Sequence, residues 1–526
     1  MITEPLRRRC SIQEPLTGHP HRLVLASCIA LGALGYSSCT DLPRRTVTTV
    51  TVQYAADERV TGPEFDSPAQ FLVFLPLVAR NADGELEGRL ARSWEPSEDY
   101  RAWTVHLNTD VRWHDGVPVT AADIQFTVAL LSRPDVGYIG QGTVAITVLD
   151  DSTFIFRSSL ISPVDDYRTY YPRHLLESLD PTKFWEWTFW TEPVGNGPYR
   201  YVRHIPKTMM ELEANPDFFL GKPAIERVIL KFGEPRLTEL LAGNVDVLTS
   251  VSPMDLPKIA TDPRFEVHYR YGWDVESIYW NHRTELFEDA RVRRALTLAI
   301  DRRQLLDVLN LARDLPLSDV IFSERQRSEL PEPLPYDRRR AERLLDEAGW
   351  RDADGDGVRE RGGTEFVFNL LVHGTDGGRV GVYLQDQLKK VGVRVEIRSI
   401  IDRATIFRQV TSGHFEAAVF GHLMSVASGR GHLKFFGDES YLGYQNPRIA
   451  ELLEAIVETG NPREKDALFQ SLWPIFQEDV PLTILYPVTA THVVRRRIRG
   501  LSSPFRGDPV WYMEDLWIED SEADGE

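Results

Sequence analysis

The amino-acid sequence predicts an exported α/β protein of more than one domain, and three observations lead to that expectation. Segments with the two-residue apolar period of strands alternate with segments of helical period from about residue 47 to residue 485. A chain of 526 residues is long enough for two to four domains, each with its own core. All three cysteines, Cys10, Cys28 and Cys39, lie at the N-terminal end, so the body of the chain has no internal disulfide, cysteine metal site or catalytic thiol.

The N-terminal segment accounts for that distribution. Arg7, Arg8, Arg9 and Arg22 precede a mostly apolar run, Leu23 to Tyr36. The run is too short for a comfortable membrane span and suits the hydrophobic region of a signal peptide. Gly35, Ser37 and Ser38 then lead to Cys39. Small residues directly before a cysteine resemble the bacterial lipoprotein signal, although Tyr36 stands where that signal usually carries leucine. The resemblance implies removal of residues 1–38 and a diacylated Cys39. No later stretch is apolar enough to cross a bilayer, so the expected location is the periplasm or the extracellular face, lipid-anchored to a bacterial membrane.

The formal net charge of −18 leaves no basic footprint for phosphates. It argues against nucleic acid as a partner and against docking on anionic lipid headgroups through the protein surface. Acidity of this size keeps an exported protein soluble.

In chain order, Val47 to Tyr54 alternates apolar and polar residues and reads as a buried strand near the mature N-terminus. Trp103 to Leu107 alternates in the same way, His114-Asp115-Gly116 marks a turn, and Thr120 caps a helix starting at Ala121. An aromatic cluster from Phe184 to Trp190 precedes the turn sequence Pro193-Val194-Gly195-Asn196-Gly197-Pro198. Arg227 to Phe232 reads as a strand, Arg236 to Ala242 as a helix and Val245-Asp246-Val247 as a strand. Helical patterns follow at 290–310, 338–348, 381–391 and 462–477, and Glu519 to Glu526 is an acidic tail. Sheets built this way open crevices at strand ends, where ligands bind.

Five segments stand in a characteristic order and spacing. They are Leu90-Ala91-Arg92-Ser93-Trp94-Glu95 leading into the strand at 103–107, the run from Val111-Arg112-Trp113-His114-Asp115-Gly116 to Ile124, the turn from Pro193 to Tyr199, Phe287-Glu288-Asp289-Ala290-Arg291-Val292-Arg293-Arg294-Ala295, and Ala341-Glu342-Arg343-Leu344-Leu345-Asp346-Glu347-Ala348-Gly349-Trp350. Together, over about residues 47–500, they resemble the extracellular solute-binding proteins of peptide and nickel ABC importers, solute-binding family 5. The resemblance implies a two-lobed clamp, the type II periplasmic-binding-protein fold, with an additional small domain. Lobe I would comprise 40–62, 191–270 and 488–526, the additional domain 63–190, and lobe II 271–487. Crossing strands near 267–273 and 483–488 would form the hinge.

The resemblance further implies a monomeric substrate-binding component of an ABC transporter. Such a protein captures a small solute between the lobes, a peptide by default, and delivers it to permease and ATPase subunits. An oligosaccharide or other non-peptide solute is one alternative, and a transporter-independent sensor or scaffold of the same fold is another. An enzyme is not expected: no zinc-protease helix, phosphate loop or serine elbow is present, and His114-Asp115 lacks the partner histidines of a metal phosphohydrolase.

Candidate ligand-binding residues follow from position and from the same resemblance. Tyr54, Asp57 and Glu58 stand at the end of the first strand, Trp273, Tyr279 and Trp280 where lobe II begins, and Tyr486 beside the hinge. Aromatic rings there suit a sugar face or a peptide side chain. In the peptide-binding members an aspartate shortly after a Gly-Trp pair holds the ligand's α-ammonium. The matching stretch is Phe415 to Val426, with His422 in place of the tryptophan and Ser425 where the aspartate is expected. No acid occurs from Ala417 through Phe436, while Arg430, His432 and Lys434 follow. This implies weak binding of simple di- and tripeptides and better binding of carboxylates or polyols, unless Asp57 or Glu58 takes over the ammonium.

One metal site is suggested. Asp352, Asp354 and Asp356 at positions 1, 3 and 5, Gly357 at 6 and the carbonyl of Val358 at 7 match the first half of a calcium loop. Position 12 is Gly363 rather than the bidentate glutamate, which excludes a full EF-hand and leaves Glu360 or Glu365 to complete a cage. The other reading is a solvated acidic turn, and no other cofactor is expected.

Overall fold

Ten strands form one mixed sheet in the computed structural model of the chain. The structure describes residues 48–54, 68–80, 86–136, 144–158, 169–234, 236–259, 261–322, 326, 329–423, 430–501 and 509–519. Across the sheet the strands run Arg394–Ile400, Val367–His373, Ala417–Leu423, Phe265–Trp280, Leu482–Arg495, Val247–Leu248, Thr49–Tyr54, Arg227–Phe232, Met209–Ala214 and Tyr199–Ile205. The pairs of Thr49–Tyr54 with Arg227–Phe232 and of Val367–His373 with Arg394–Ile400 are parallel. A separate four-stranded antiparallel sheet comprises Ala91–Pro96, Ala102–Leu107, Thr153–Ser158 and Val144–Asp150.

Two strands in the middle of the large sheet are long, 16 and 14 residues, and pair antiparallel from Phe265↔Arg495 to Tyr279↔Leu482. Ala417–Leu423 flanks only Asp274–Trp280, and Val247–Leu248 flanks only Val493–Val494. Between these flanks, among the described residues, His268–Tyr271 and Thr489–His492 pair as strands only with each other. The sheet narrows there to a two-stranded ribbon, and the register shifts just beyond it, between Tyr271 and Val275.

The apolar cores lie on either side of this ribbon along the strands. One contains Val50, Val52, Val228 and Leu230 together with Trp103, Trp113, Phe154, Phe156 and Phe184, so the first strand and the four-stranded sheet share a core. Beyond the ribbon the sheet is covered on both faces. Ile278 and Trp280 enter a core with Phe287, Phe368 and Trp350, whereas Val275 and Tyr279 enter another with Phe420, Phe436 and Phe476. The two-residue period of a strand distributes them this way.

Local chemistry explains most element boundaries. The helix Ala121–Leu131 starts where the sequence predicts, with the Asp123 carboxylate accepting the Thr120 N–H at 2.8 Å and its hydroxyl at 2.9 Å. The helical pattern at 290–310 is two helices, Ala290–Leu298 and Arg302–Leu309, because the Asp301 carboxylate accepts the Gln304 N–H and starts a new one. The helix expected at 381–391 runs from Gly374 to Lys389; its glycine-rich first turns hid the beginning. The strand expected at 245–247 is Val247–Leu248.

The segments that carry the family resemblance hold the fold together. In the turn after Pro193, the N–H groups of Asn196 and Gly197 donate to the Val73 carbonyl at 2.9 and 2.8 Å, and Asn196 Oδ1 accepts the Leu75 N–H at 2.8 Å. A Cβ on Gly195 would lie 1.9 Å from the Val73 oxygen, so only glycine permits this approach. His114 grips the same turn from the other side: Nδ1 accepts the Gly195 N–H and Nε2–H donates to the Gly197 carbonyl. Burial lowers its pKa to about 4, which keeps the ring neutral. Asp115 bonds His174 at 2.8 Å, so the His114-Asp115 pair is a structural clamp. Arg293, also buried, donates to the carbonyls of Phe287, Asp479 and Val480 and ties two helices together.

Candidate functional site

Where the ribbon widens, the strand Val275-Glu276-Ser277 is paired on one side with Phe420-Gly421-His422 and on the other with the Ile484–Pro487 segment. Glu276 faces Gly421 in one register and Tyr486 in the other, next to a register shift. The packing around it follows from a missing side chain. A Cβ on Gly421 would stand 3.2 Å from Glu276 Oε2 and 3.7 Å from a guanidinium nitrogen of Arg403, so a carboxylate and a guanidinium converge over the glycine. Arg403 comes from the helix Arg403–Thr411, which Asp402 caps. Its guanidinium lies 5.0 Å from the Phe420 ring centroid and donates to the Gly421 carbonyl at 3.4 Å.

The electrostatics of Glu276 are unusual for a surface acid. Burial pushes its pKa up to about 7; Arg403 works against the shift, and the charges of Asp274 and Asp376 add to it. Among the described residues no hydrogen bond or ion pair reaches its carboxylate, and Arg403 acts at longer range. The Tyr486 phenol is pushed well above its ordinary value by burial and by the charges of Glu276 and Asp376. Asp376 has a cation of its own, Arg379, at 3.6 Å. The arrangement presents a half-buried carboxylate, a nearby exposed guanidinium and a phenol at one end of the ribbon.

The residues expected from sequence fall differently. Tyr54 is half-buried at the end of the first strand, opposite Phe232. Tyr486 is part of the constellation just described. Tyr279 and Trp280 are corrected: both are fully buried in cores rather than facing a cleft. Trp280 stacks near Phe287 and donates its indole N–H to Thr483 Oγ1 at 3.0 Å, while Tyr279 lies 5.5 Å from the Phe435 ring. The cause is the double-sided cover of the central strand, which leaves neither face open. His432, expected near the ligand, is likewise buried, beside Phe469. The backbone of Trp273 lies at the register irregularity, that of His422 opposite Val275, and that of Arg430 at the start of a helix ending at Phe436. Asp57, Glu58, Ser425 and the signal segment with Cys39 lie outside the described residues. Glu276 and Arg403 were missed. The one available signal was an acid between Val275 and Ile278 in an otherwise buried strand.

The acidic turn is exposed, and carboxylate oxygens of Asp352, Asp354 and Asp356 lie within 4.8 Å of one another. The same carboxylates accept backbone N–H groups of the turn: Asp352 those of Gly355 and Gly357, Asp354 that of Asp356, and Asp356 that of Val358. Glu360 accepts the Ala353 N–H at 2.7 Å. These bonds shape the turn from within.

Comparison with known proteins adds the family. The model of bacterial extracellular solute-binding proteins, family 5 (middle), matches residues 85–441. The oligopeptide-binding protein AppA of Bacillus subtilis (strain 168) is 26% identical over 462 residues, covering 82% of this chain and 83% of its own. Among solved structures, AppA from Bacillus subtilis in complex with a nonapeptide has a TM-score of 0.65 at 22% identity, over 90% of this chain and 99% of that one. NikZ from Campylobacter jejuni in complex with Ni(L-His) has a TM-score of 0.68 at 22% identity, over 89% of this chain and 99% of that one. These two likenesses establish the fold and leave the ligand to the site.

Proposed function

The chain belongs to the bacterial extracellular solute-binding proteins of family 5, and on that premise we propose that its solute is a peptide held between two lobes. It is the substrate-binding component of an ABC transporter; a Brucella ovis relative 26% identical over 437 residues carries the name putative ABC transporter peptide-binding protein. The observation that carries the mechanism is the two-stranded ribbon between large cores. A narrow ribbon has few lateral hydrogen bonds to strain, so it is where rigid bodies hinge. A ligand that contacts both bodies shifts the population toward the closed form, and the shift cannot exceed its differential affinity for that form.

The lobe assignment 40–62, 191–270 and 488–526 against 271–487, with 63–190 as the additional domain, belongs to this reading. So do a monomeric state and a diacylated Cys39 that tethers the protein to the membrane. A calcium ion on Asp352, Asp354 and Asp356 of the acidic turn belongs to the same proposal. Among the described residues no helix is long and apolar enough to cross a membrane. The decisive experiment is mass spectrometry of the small molecules released by denaturing the purified protein, with thermal shift on each compound found. Peptides that raise the melting temperature support the reading; a saccharide or metal chelate as the sole stabilising compound refutes it.

A further inference from the structure

Apart from the ribbon, the two sides of the molecule meet again at a pair of turns. The turn 97–101 links the strands Ala91–Pro96 and Ala102–Leu107, and its Tyr100 packs on the core that the four-stranded sheet shares with the first strand. Gly460 lies between the helices Pro447–Glu458 and Pro462–Asp479, which send Ile456 and Phe469 into a core beyond the ribbon. A Cβ on Gly460 would stand 2.7 Å from Tyr100 Cβ and 2.9 Å from the Tyr100 carbonyl oxygen, so only glycine lets the two turns come this close. The φ of Gly460 is not positive, so glycine serves the approach rather than the local backbone. Both turns are braced. The Ser97 hydroxyl donates to the Asp99 carboxylate at 2.6 Å and accepts the Ala102 N–H at 3.0 Å, and the Tyr100 ring stands edge-on to Trp103 at 6.0 Å. On the other side the Thr459 hydroxyl donates to Glu464 at 2.5 Å and accepts the Asn461 N–H at 3.2 Å, while the Asn461 side chain caps the second helix. Tyr100 is held at a φ of 56°, the left-handed region that an aromatic residue rarely adopts, and strain of this kind persists only where the surroundings fix it. The two sides also approach where Asn310 Nδ2–H donates to Met254 Sδ at 4.0 Å, but an exposed, flexible thioether can give way. Two braced turns cannot.

We infer that the contact of Gly460 with Tyr100 is the stop that sets how far the two bodies close about the ribbon. The inference rests on the solute-binding reading and goes beyond it, because it places the control of closure on residues outside the candidate site. The turns already touch, so rotation about the ribbon in one sense presses them together and in the other parts them. A side chain at 460 fills the gap and holds the bodies apart. That withdraws the closed form and, with it, the share of affinity that depends on contacts to both bodies. Tyr100 and Gly460 are positioning residues, which act on affinity through closure.

The test uses the purified protein with its native cysteines replaced by serine and spin labels on cysteines introduced at the exposed positions Ile205 and Ile401, one in each body. Electron–electron distance measurements compare the wild type, Gly460→Ala and Gly460→Leu, alone and with synthetic dipeptides, tripeptides and nonapeptides or with neutral oligosaccharides, and calorimetry gives the affinities. The wild type is expected to show a closed distance that the peptides populate further. Gly460→Leu should lack that distance and bind the peptides about tenfold more weakly, with the unliganded melting curve of the wild type because its bodies can part. Gly460→Ala should fall between the two, and takes the place of the leucine variant in every comparison if that variant does not fold. Adding Tyr100→Gly, which removes the nearer of the two clashing atoms and suits a φ of 56°, should restore part of the closed population to Gly460→Ala; a merely structural role at 460 gives no such rescue. Distance distributions of Gly460→Leu and wild type that coincide, with and without the probes, overturn the inference. Equal peptide affinities of the two proteins also overturn it and leave the peptide reading standing. If oligosaccharides, and no peptide, bring the wild type to the closed distance and leave Gly460→Leu open, the peptide reading fails and the inference holds.

Discussion

Replacing Glu276 with glutamine should stabilise the unliganded protein at alkaline pH and leave it nearly unchanged in acid. The folded-state pKa is raised to about 7 from an ordinary 4.5. Between those values the folded protein holds a proton that the unfolded chain has released, so the wild type loses stability as pH rises through this window. A shift of this size corresponds to at most about 3.4 kcal/mol at 1.36 kcal/mol per unit, and partial solvent access brings the expectation to roughly 1–3 kcal/mol. The groups facing Glu276 set the sign: Asp274 and Asp376 add to the cost of ionisation, and Arg403 only offsets part of it. The assay is urea denaturation followed by intrinsic fluorescence at pH 5 and pH 8, comparing variant with wild type at each pH because a multi-domain chain need not unfold in one step. The variant should exceed the wild type at pH 8 and by much less, under about 1 kcal/mol, at pH 5. A variant that is weaker than the wild type at pH 8 would show that Arg403 stabilises the carboxylate by direct pairing, and the reasoning would fall.

Acid should also weaken the fold: burial lowers His114 to about 4 and His282 to about 3. The unfolded chain takes up protons first below pH 6.5, so stability should fall between pH 6.5 and 4, by about 1–3 kcal/mol per histidine, in a urea midpoint series on the Glu276→Gln variant, which removes the opposing titration; a flat profile there contradicts it. Gly195→Ala should cost about 3 kcal/mol or more, because its Cβ would meet the Val73 oxygen at 1.9 Å, and thermal melting against Gly116→Ala, where a Cβ meets nothing within 4 Å, separates this clash from backbone strain. Cys39→Ser should abolish metabolic palmitate labelling and release the protein from the membrane fraction; an unlabelled wild type refutes the anchor. If the acidic turn holds calcium, 2 mM calcium should raise the melting temperature and chelator reverse it, whereas coincident curves leave the turn to its internal hydrogen bonds.

The sequence spoke clearly where one interaction decides a local outcome. Thr120 with Asp123 starts a helix at Ala121 through a bond visible in the spacing alone, and Pro193 to Tyr199 is a turn whatever surrounds it. It spoke less clearly where tertiary context selects between faces of one strand. Tyr279 and Trp280 were sensible cleft residues by position, yet two layers of cover turn both into core. The family signature misleads in a related way. His114, Gly195 and Arg293 are polar or small residues at fixed spacing, the usual look of a site, and each is used to lock elements together.

Glu276 shows the reverse. No motif surrounds it, and its environment is assembled from Gly421, Tyr486, Arg403 and Asp376, residues brought near by four other elements. Only the register of three strands and the missing Cβ of Gly421 reveal that its carboxylate packs against that glycine, with the Arg403 guanidinium near the same place. Solute-binding proteins that share a fold can change ligand by changing such contacts while the locking residues stay as they are. For this chain the scaffold was therefore legible in its sequence, whereas the chemistry of ligand selection depends on distances between strands.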